Sequence, residues 1–135
     1  MNYFEVDGRP YDVIVTKIQR GAEIRQSENA GATLGEGAEE TLDPLGTFIS
    51  HTVVVKRRKG NEAEFDKLWD CVTMPRYEGV WVNVAYNQAT LKYKAKFSVS
   101  PQNLERVDKR TGKVYWGEMT INIVPTKAQV LPNEQ

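Results

Sequence analysis

Only one of the 135 residues is cysteine and only one is histidine. A lone Cys71 excludes an intramolecular disulfide framework and fits a reducing compartment. One thiol and one imidazole cannot make a zinc site without several carboxylates, and no such spacing occurs. Neither sign of charge is in surplus, because 18 Lys and Arg balance 18 Asp and Glu. A dedicated nucleic-acid binder normally carries a basic excess or a basic face, so this balance argues against one while leaving room for a local basic patch. No apolar run approaches the ~20 residues needed to span a bilayer. The opening MNYFEVDGRP has no basic stretch leading into an apolar one, so no signal peptide is read. The length suits a single domain, 1–135, with one core burying roughly two-thirds of the unfolded surface.

What is present is mostly strand signal. Tyr3 to Val6 reads as a short strand, Asp7-Gly8-Arg9-Pro10 as a turn, and Tyr11 to about Gln19 as its hairpin partner. From Thr47 to Arg57, Ile49, His51, Val53 and Val55 share one face. Phe48, Ser50, Thr52 and Val54 share the other, a pattern expected of a strand covered on both sides. Gly79 to Tyr86 and Thr90 to Val99 form a further pair. In the second of these Leu91, Tyr93, Ala95, Phe97 and Val99 oppose Lys92, Lys94, Lys96 and Ser98. Ser100 to Thr111 reads as a polar connection. A last strand runs from Val114 to about Val124, with Tyr115, Met119, Ile121 and Ile123 inward.

One helix interrupts the strands at about 61–74. Asn61 is suited to the N-cap with Glu64 three residues on, and Phe65, Leu68, Trp69 and Val72 form one apolar stripe. Pro75 ends it. Hairpins dominate and no βαβ alternation appears. The fold class is therefore mainly β, an antiparallel β-sandwich or open barrel with one flanking α-helix. The expected core contains Phe65, Leu68, Trp69, Val72, Leu91, Tyr93, Phe97, Ile121 and Ile123.

Two segments lack core patterning. Residues 20–45 read as a long loop or arm, and 125–135 as an extended C-terminal tail. Compact domains rarely carry more than about 12–15 structureless residues in one connection, and longer ones are usually functional or disordered. Both segments are expected to order on assembly. Tyr77 and Trp81 are candidate anchors, since Tyr and Trp are enriched at interfaces. The candidate assembly interface is thus Arg20, Ile24, Arg25, Asn29, Leu34, Glu36, Glu39, Glu40, Leu42, Tyr77, Trp81 and Leu131.

Little catalytic equipment is legible. His51 alternates with Ile49 and Val53, the setting of a packed strand residue rather than a general base. Cys71 lies beside the helix stripe as a small hydrophobe. Gly31, Gly35 and Gly37 are followed by Glu-rich sequence, which would repel phosphate, instead of the Lys-Ser/Thr of a P-loop. The acidic residues around them lack EF-hand spacing and read as a solvated loop. No catalytic, cofactor or metal residue is assigned. The candidate charged face, Lys92, Lys94 and Lys96, has three readings: a solvated outer face that discourages edge aggregation, a contact for nucleic-acid backbone, or a partner for the acidic loop of a neighbouring subunit.

Several cues taken together carry a resemblance. They are Val6-Asp7-Gly8, Ile18-Gln19-Arg20-Gly21, Glu28-Asn29-Ala30-Gly31, Pro44-Leu45-Gly46-Thr47, the Glu64-Phe65-Asp66-Lys67-Leu68-Trp69 helix and Tyr115-Trp116-Gly117. The chain resembles small structural proteins of long-tailed bacteriophage and prophage tails or baseplates, related to the tail-tube and distal-tail fold. The resemblance implies a non-enzymatic virion subunit, made in the bacterial host cytoplasm and built into a ring around the tail channel. Its implied partners are itself and other tail proteins, with incidental proximity to DNA and no membrane, cofactor or small-molecule substrate. Tail lumens are often acidic, so the lysine face either points outward or belongs to a component that does not line the lumen. The alternative is a monomeric binding module that offers the lysine face to an acidic partner or nucleic acid; an enzyme is a more distant reading.

Overall fold

A computed structural model describes residues 3–27, 31–32 and 40–132. The strands are β1 Phe4–Val6, β2 Arg9–Pro10, β3 Ile14–Gln26, β4 Gly31–Ala32, β5 Glu40–Thr41, β6 Pro44–Lys56, β7 Val80–Tyr86, β8 Ala89–Val99, β9 Leu104–Val107, β10 Val114–Trp116 and β11 Met119–Pro125. The helix, α1, spans Glu62–Thr73. Seven strands form one antiparallel sheet in the order β2-β1-β7-β8-β11-β6-β3, while β9–β10 and β4–β5 are two-stranded ribbons. The protein is mainly β with one helix, as the alternation predicts.

The sheet curls on itself. His51 of β6 bonds to Ala85 of β7 although β11 and β8 lie between their strands. The two sheet edges approach each other, with Tyr3, Phe4, Pro10 and Tyr11 facing Val15 to Ile18 across a cleft of about 500 Å³. This is the open-barrel form of the expected class. Alternation places Val6, Val82, Val84, Tyr93, Ala95, Ile121, Ile123, Val53 and Val55 inside, where they meet Phe65, Leu68 and Val72 of α1. Leu91 and Phe97 are partly buried against this core. Val54 and Phe48 on the outer face are only half-buried, so β6 is fully covered on one side, not two.

Turn chemistry makes a first hairpin, but not with the expected partner. β1 pairs with Arg9–Pro10, inside the expected turn. The strand expected over Tyr11 to about Gln19 belongs to β3 and pairs with β6. Asp7 and Gly8 both take positive φ, 56° and 74°, the requirement of the two-residue primed turn that pairs Val6 with Arg9. The helix start differs from the predicted cap. Asn61 makes no side-chain cap bond because its amide donates to Asp12 Oδ2 at 2.6 Å. Glu64 is likewise taken by Arg9, at 2.6 Å. The capping pair is thereby redirected to tie the β2–β3 loop to α1. Hydrogen bonding from Asn61 and then Arg58 holds the Asp12 carboxyl below its ordinary value. Trp69 also departs from expectation, staying 36% exposed while Phe65, Leu68 and Val72 are buried.

The largest correction concerns residues 20–45. Residues 20–26 are not an unpatterned loop but the second half of β3, paired with β6 from Gly21↔Ser50 to Gln26↔Pro44. Beyond them β4 and β5 pair as well. In its described residues the connection is therefore strand-paired, first within the sheet as β3 against β6 and then in the separate β4–β5 ribbon. The second half of β3 was hidden because residues 19–26 are exposed, so no apolar period marks it. The expected last strand is also divided: β10, with Tyr115 half-exposed, pairs with β9 in the small ribbon, and only β11 enters the main sheet.

The tail is docked rather than free through Val130. Val130 bridges to Thr47, and the Gln129 amide imitates a strand. Its Oε1 accepts from Ile49 N at 2.8 Å, and its Nε2 donates to Ile49 O at 2.7 Å. Gly46 permits this approach, because a Cβ there would lie 2.7 Å from Val130 O. Gln129→Ala is expected to destabilise the fold by about 1–3 kcal/mol and to speed amide exchange at Thr47 and Ile49. Unchanged exchange at both positions would show that this amide does not hold the tail.

Candidate assembly surface

The arm carries the most unusual surface. Along β6 the odd-numbered residues face the core: Val55, Val53 and His51 are buried, and Ile49 is 3% exposed. The same face continues to Thr47, where the alternation stops: the register shifts between Arg25↔Gly46 and Gln26↔Pro44, leaving Leu45 as the extra residue of a β-bulge. Register sets Ile24 opposite Thr47 on one side and Val130 opposite it on the other. Directly opposed residues share a face. Ile24 (64%) and Val130 (48%) thus flank Thr47 on the core side, with Leu45 (52%) exposed at the adjoining bulge, and all three stay exposed among the described residues. β3 is the sheet's edge strand with β6 as its one partner in the sheet, so its outer backbone donors and acceptors along residues 19–26 are open to another strand.

The sequence-predicted interface residues distribute unevenly over this surface. Ile24 and Leu42 are exposed on the arm, and Leu131 is exposed next to its base. Arg20 turns toward the hairpin between β7 and β8, donating to Asn87 Oδ1 at 2.5 Å with its guanidinium 5.0 Å from the Tyr86 ring. Arg25 lies 4.0 Å over Phe48 and 3.5 Å from Glu23. Asn29, Leu34, Glu36, Glu39 and the Glu40 side chain lie outside the described residues. Tyr77 is fully exposed in the loop before β7, and Trp81 is on the outer face of β7 beside the lysines. Neither joins the arm patch. Leu45 and Val130 were missed. Leu45 lies at a β-bulge that no alternation announces, and no sequence period marks Val130.

The charged face forms as predicted but is partly engaged within the chain. Lys92 lies 5.5 Å over Trp81, Lys94 is 3.4 Å from Glu78, and Lys96 is exposed. Among the described residues no group of three or more His, Cys, Asp or Glu converges, and no helix is long and apolar enough to cross a membrane. Cys71 is half-buried against the core and accepts Arg76 through its carbonyl at 2.8 Å. Known protein families, curated proteins and solved structures offer no match to the chain.

His51 is packed, as its alternation predicts. It is 1% exposed, and its ring stacks on Tyr93 at 5.7 Å between centroids. Ala85 O can only accept, so Nε2 carries the proton toward it at 3.2 Å. Nδ1 then accepts from the Tyr93 hydroxyl at 2.8 Å. Burial holds the imidazole below its ordinary value and pushes the Tyr93 phenol up. The unfolded chain binds a proton near pH 6.5 that the folded chain refuses, so stability is complete above that pH and falls as pH drops through it. One such proton gives a slope of at most ~1.4 kcal/mol per pH unit. Urea unfolding from pH 8 to 5.5 is expected to show this slope in the native chain and a shallower one in His51→Gln. Parallel profiles would remove His51 as the cause.

Proposed function

We propose that this chain is a non-enzymatic structural subunit of a phage tail or baseplate that self-associates into a ring and contacts adjoining tail proteins. The observation that carries the reading is the exposed apolar cluster at the base of the arm, with Ile24 and Val130 flanking Thr47 on the core side and Leu45 at the adjoining bulge. An apolar cluster left in water beside an open sheet edge is suited to a second copy. The open β3 edge adds backbone hydrogen bonds to the same contact. An arm that seats on a different surface of its neighbour makes a heterologous contact, and such contacts close into rings when the rotation allows. The virion is the location this reading implies.

Magnitudes set the expected strength. Full burial of one such side chain is worth roughly 1.5–3 kcal/mol, and these three are already about half covered. Their combined gain of about 3–4 kcal/mol lies at or below the ~4–15 kcal/mol cost of associating two bodies. A single contact is therefore weak, and assembly depends on strand pairing and on ring closure. The lysine-face module is less well supported, since Lys92 and Lys94 already have partners within the chain.

Native mass measured from micromolar to near-millimolar concentration is expected to reveal a discrete symmetric multimer at the upper end. Ile24→Asp with Leu45→Asp should abolish it and leave the thermal transition in place. A native chain that stays monomeric throughout, or a double variant that still assembles, would contradict the proposal.

A further inference from the structure

Several partly buried aromatic rings in this protein, and the exposed Trp81, have a cation over them. Arg9 lies 4.4 Å over Tyr11, Arg20 5.0 Å over Tyr86, Arg25 4.0 Å over Phe48 and Lys92 5.5 Å over Trp81. Tyr115 has Arg106 at 4.2 Å, with Arg57 and Lys113 close by. Trp69 and Trp116 are 36% and 40% exposed and, like Tyr3 and Tyr77, have no lysine or arginine over them among the described residues. Unlike those two, they share one cleft, of about 320 Å³, between α1 and the β9–β10 ribbon. Phe65, Asp66 and Gln102 complete its walls, and no basic side chain lines it.

The walls are held independently of any ligand. Arg57 donates to the Trp116 carbonyl, Gly117 N donates to Asn103 O at 2.8 Å, and Gln102 Nε2 donates to Gly117 O at 2.8 Å. That last bond leaves Gln102 Oε1 as an acceptor at the cleft. Gly117 lets the two segments close, since a Cβ there would meet Glu105 Oε1 at 2.9 Å and Asn103 O at 3.3 Å. Asp66 is exposed on α1, with no ion-pair or hydrogen-bond partner among the described residues. Two indole rings and an unpaired carboxylate at one cleft complement a positively charged group that is apolar over much of its surface.

We infer that the Trp69–Trp116 cleft binds an organic ammonium ion, with the indoles facing the cation and Asp66 balancing its charge. Two sources share this chemistry: a free methylated ammonium compound, or the ammonium of a lysine side chain presented by another molecule. The site stands on its own geometry and does not depend on ring assembly.

The test follows tryptophan emission in a Trp81→Phe background, so that the signal reports Trp69 and Trp116. Choline, Nα-acetyl-lysine amide and the neutral choline isostere 3,3-dimethylbutan-1-ol are titrated at constant ionic strength. At least one cation is expected to saturate, with the neutral alcohol about tenfold weaker and Asp66→Asn weakening the cation severalfold. Tighter binding of choline assigns the methylated compound, and tighter binding of the lysine amide assigns the side chain. Trp116→Ala, on an exposed position, should abolish the response. The inference is overturned if neither cation saturates, if the alcohol binds as tightly, or if Asp66→Asn binds unchanged.

Discussion

Register along β6 is the constraint on which the rest of the structure depends. This strand pairs with β3 on one side and with β11 and the tail on the other. Side chains alternate with a period of two, so a slip of one residue would turn Ile49, His51, Val53 and Val55 out of the core together. His51 strengthens the lock, because only the present register brings its two nitrogens to Tyr93 and Ala85. The same register carries Thr47 and, through pairing, Ile24 and Val130 onto the core-side face beyond the barrel, and it ends at the bulge that exposes Leu45. The stability of the domain and the exposed apolar patch thus have one cause.

The parts of the fold legible in the sequence are those where burial writes a period. β8 alternates Leu91, Tyr93, Ala95 and Phe97 against lysines and serine, and its faces fall as predicted. The Phe65, Leu68 and Val72 stripe reads as a helix for the same reason. The arm was illegible beyond its ends because β3 from Gln19 to Gln26 is exposed on both faces, so pairing leaves no hydrophobic trace. Trp69 was misplaced since a stripe gives the buried side of a helix but not its width. The redirected cap of Asn61 could not be foreseen either, as it depends on Asp12 arriving from a distant loop. Of the candidate surface, Ile24, Leu42 and Leu131 were visible as apolar residues in polar surroundings, while Val130 gained its place only through Gln129.

Charge is distributed with a comparable economy. The three lysines of β8 lie on one outer face, and two are occupied by Trp81 and Glu78. Arginines on the arm and its neighbours lie over aromatic rings instead of standing free. Exposed ion pairs of this kind contribute little to stability, but they shield apolar rings from water and leave few surfaces unsatisfied. Against that background, the exposed apolar cluster at the base of the arm and the tryptophan cleft, whose one charged lining residue is Asp66, lack a cation over their apolar surface.

The central claim is that the arm's core-side face and the open edge of β3 become buried between copies. Backbone amide exchange across residues 19–26, followed at micromolar and at near-millimolar concentration, tests it most directly. The account predicts that these amides gain protection at high concentration, while outer-face β8 amides, already paired within the sheet, exchange as before. Identical exchange of residues 19–26 at both concentrations would contradict it.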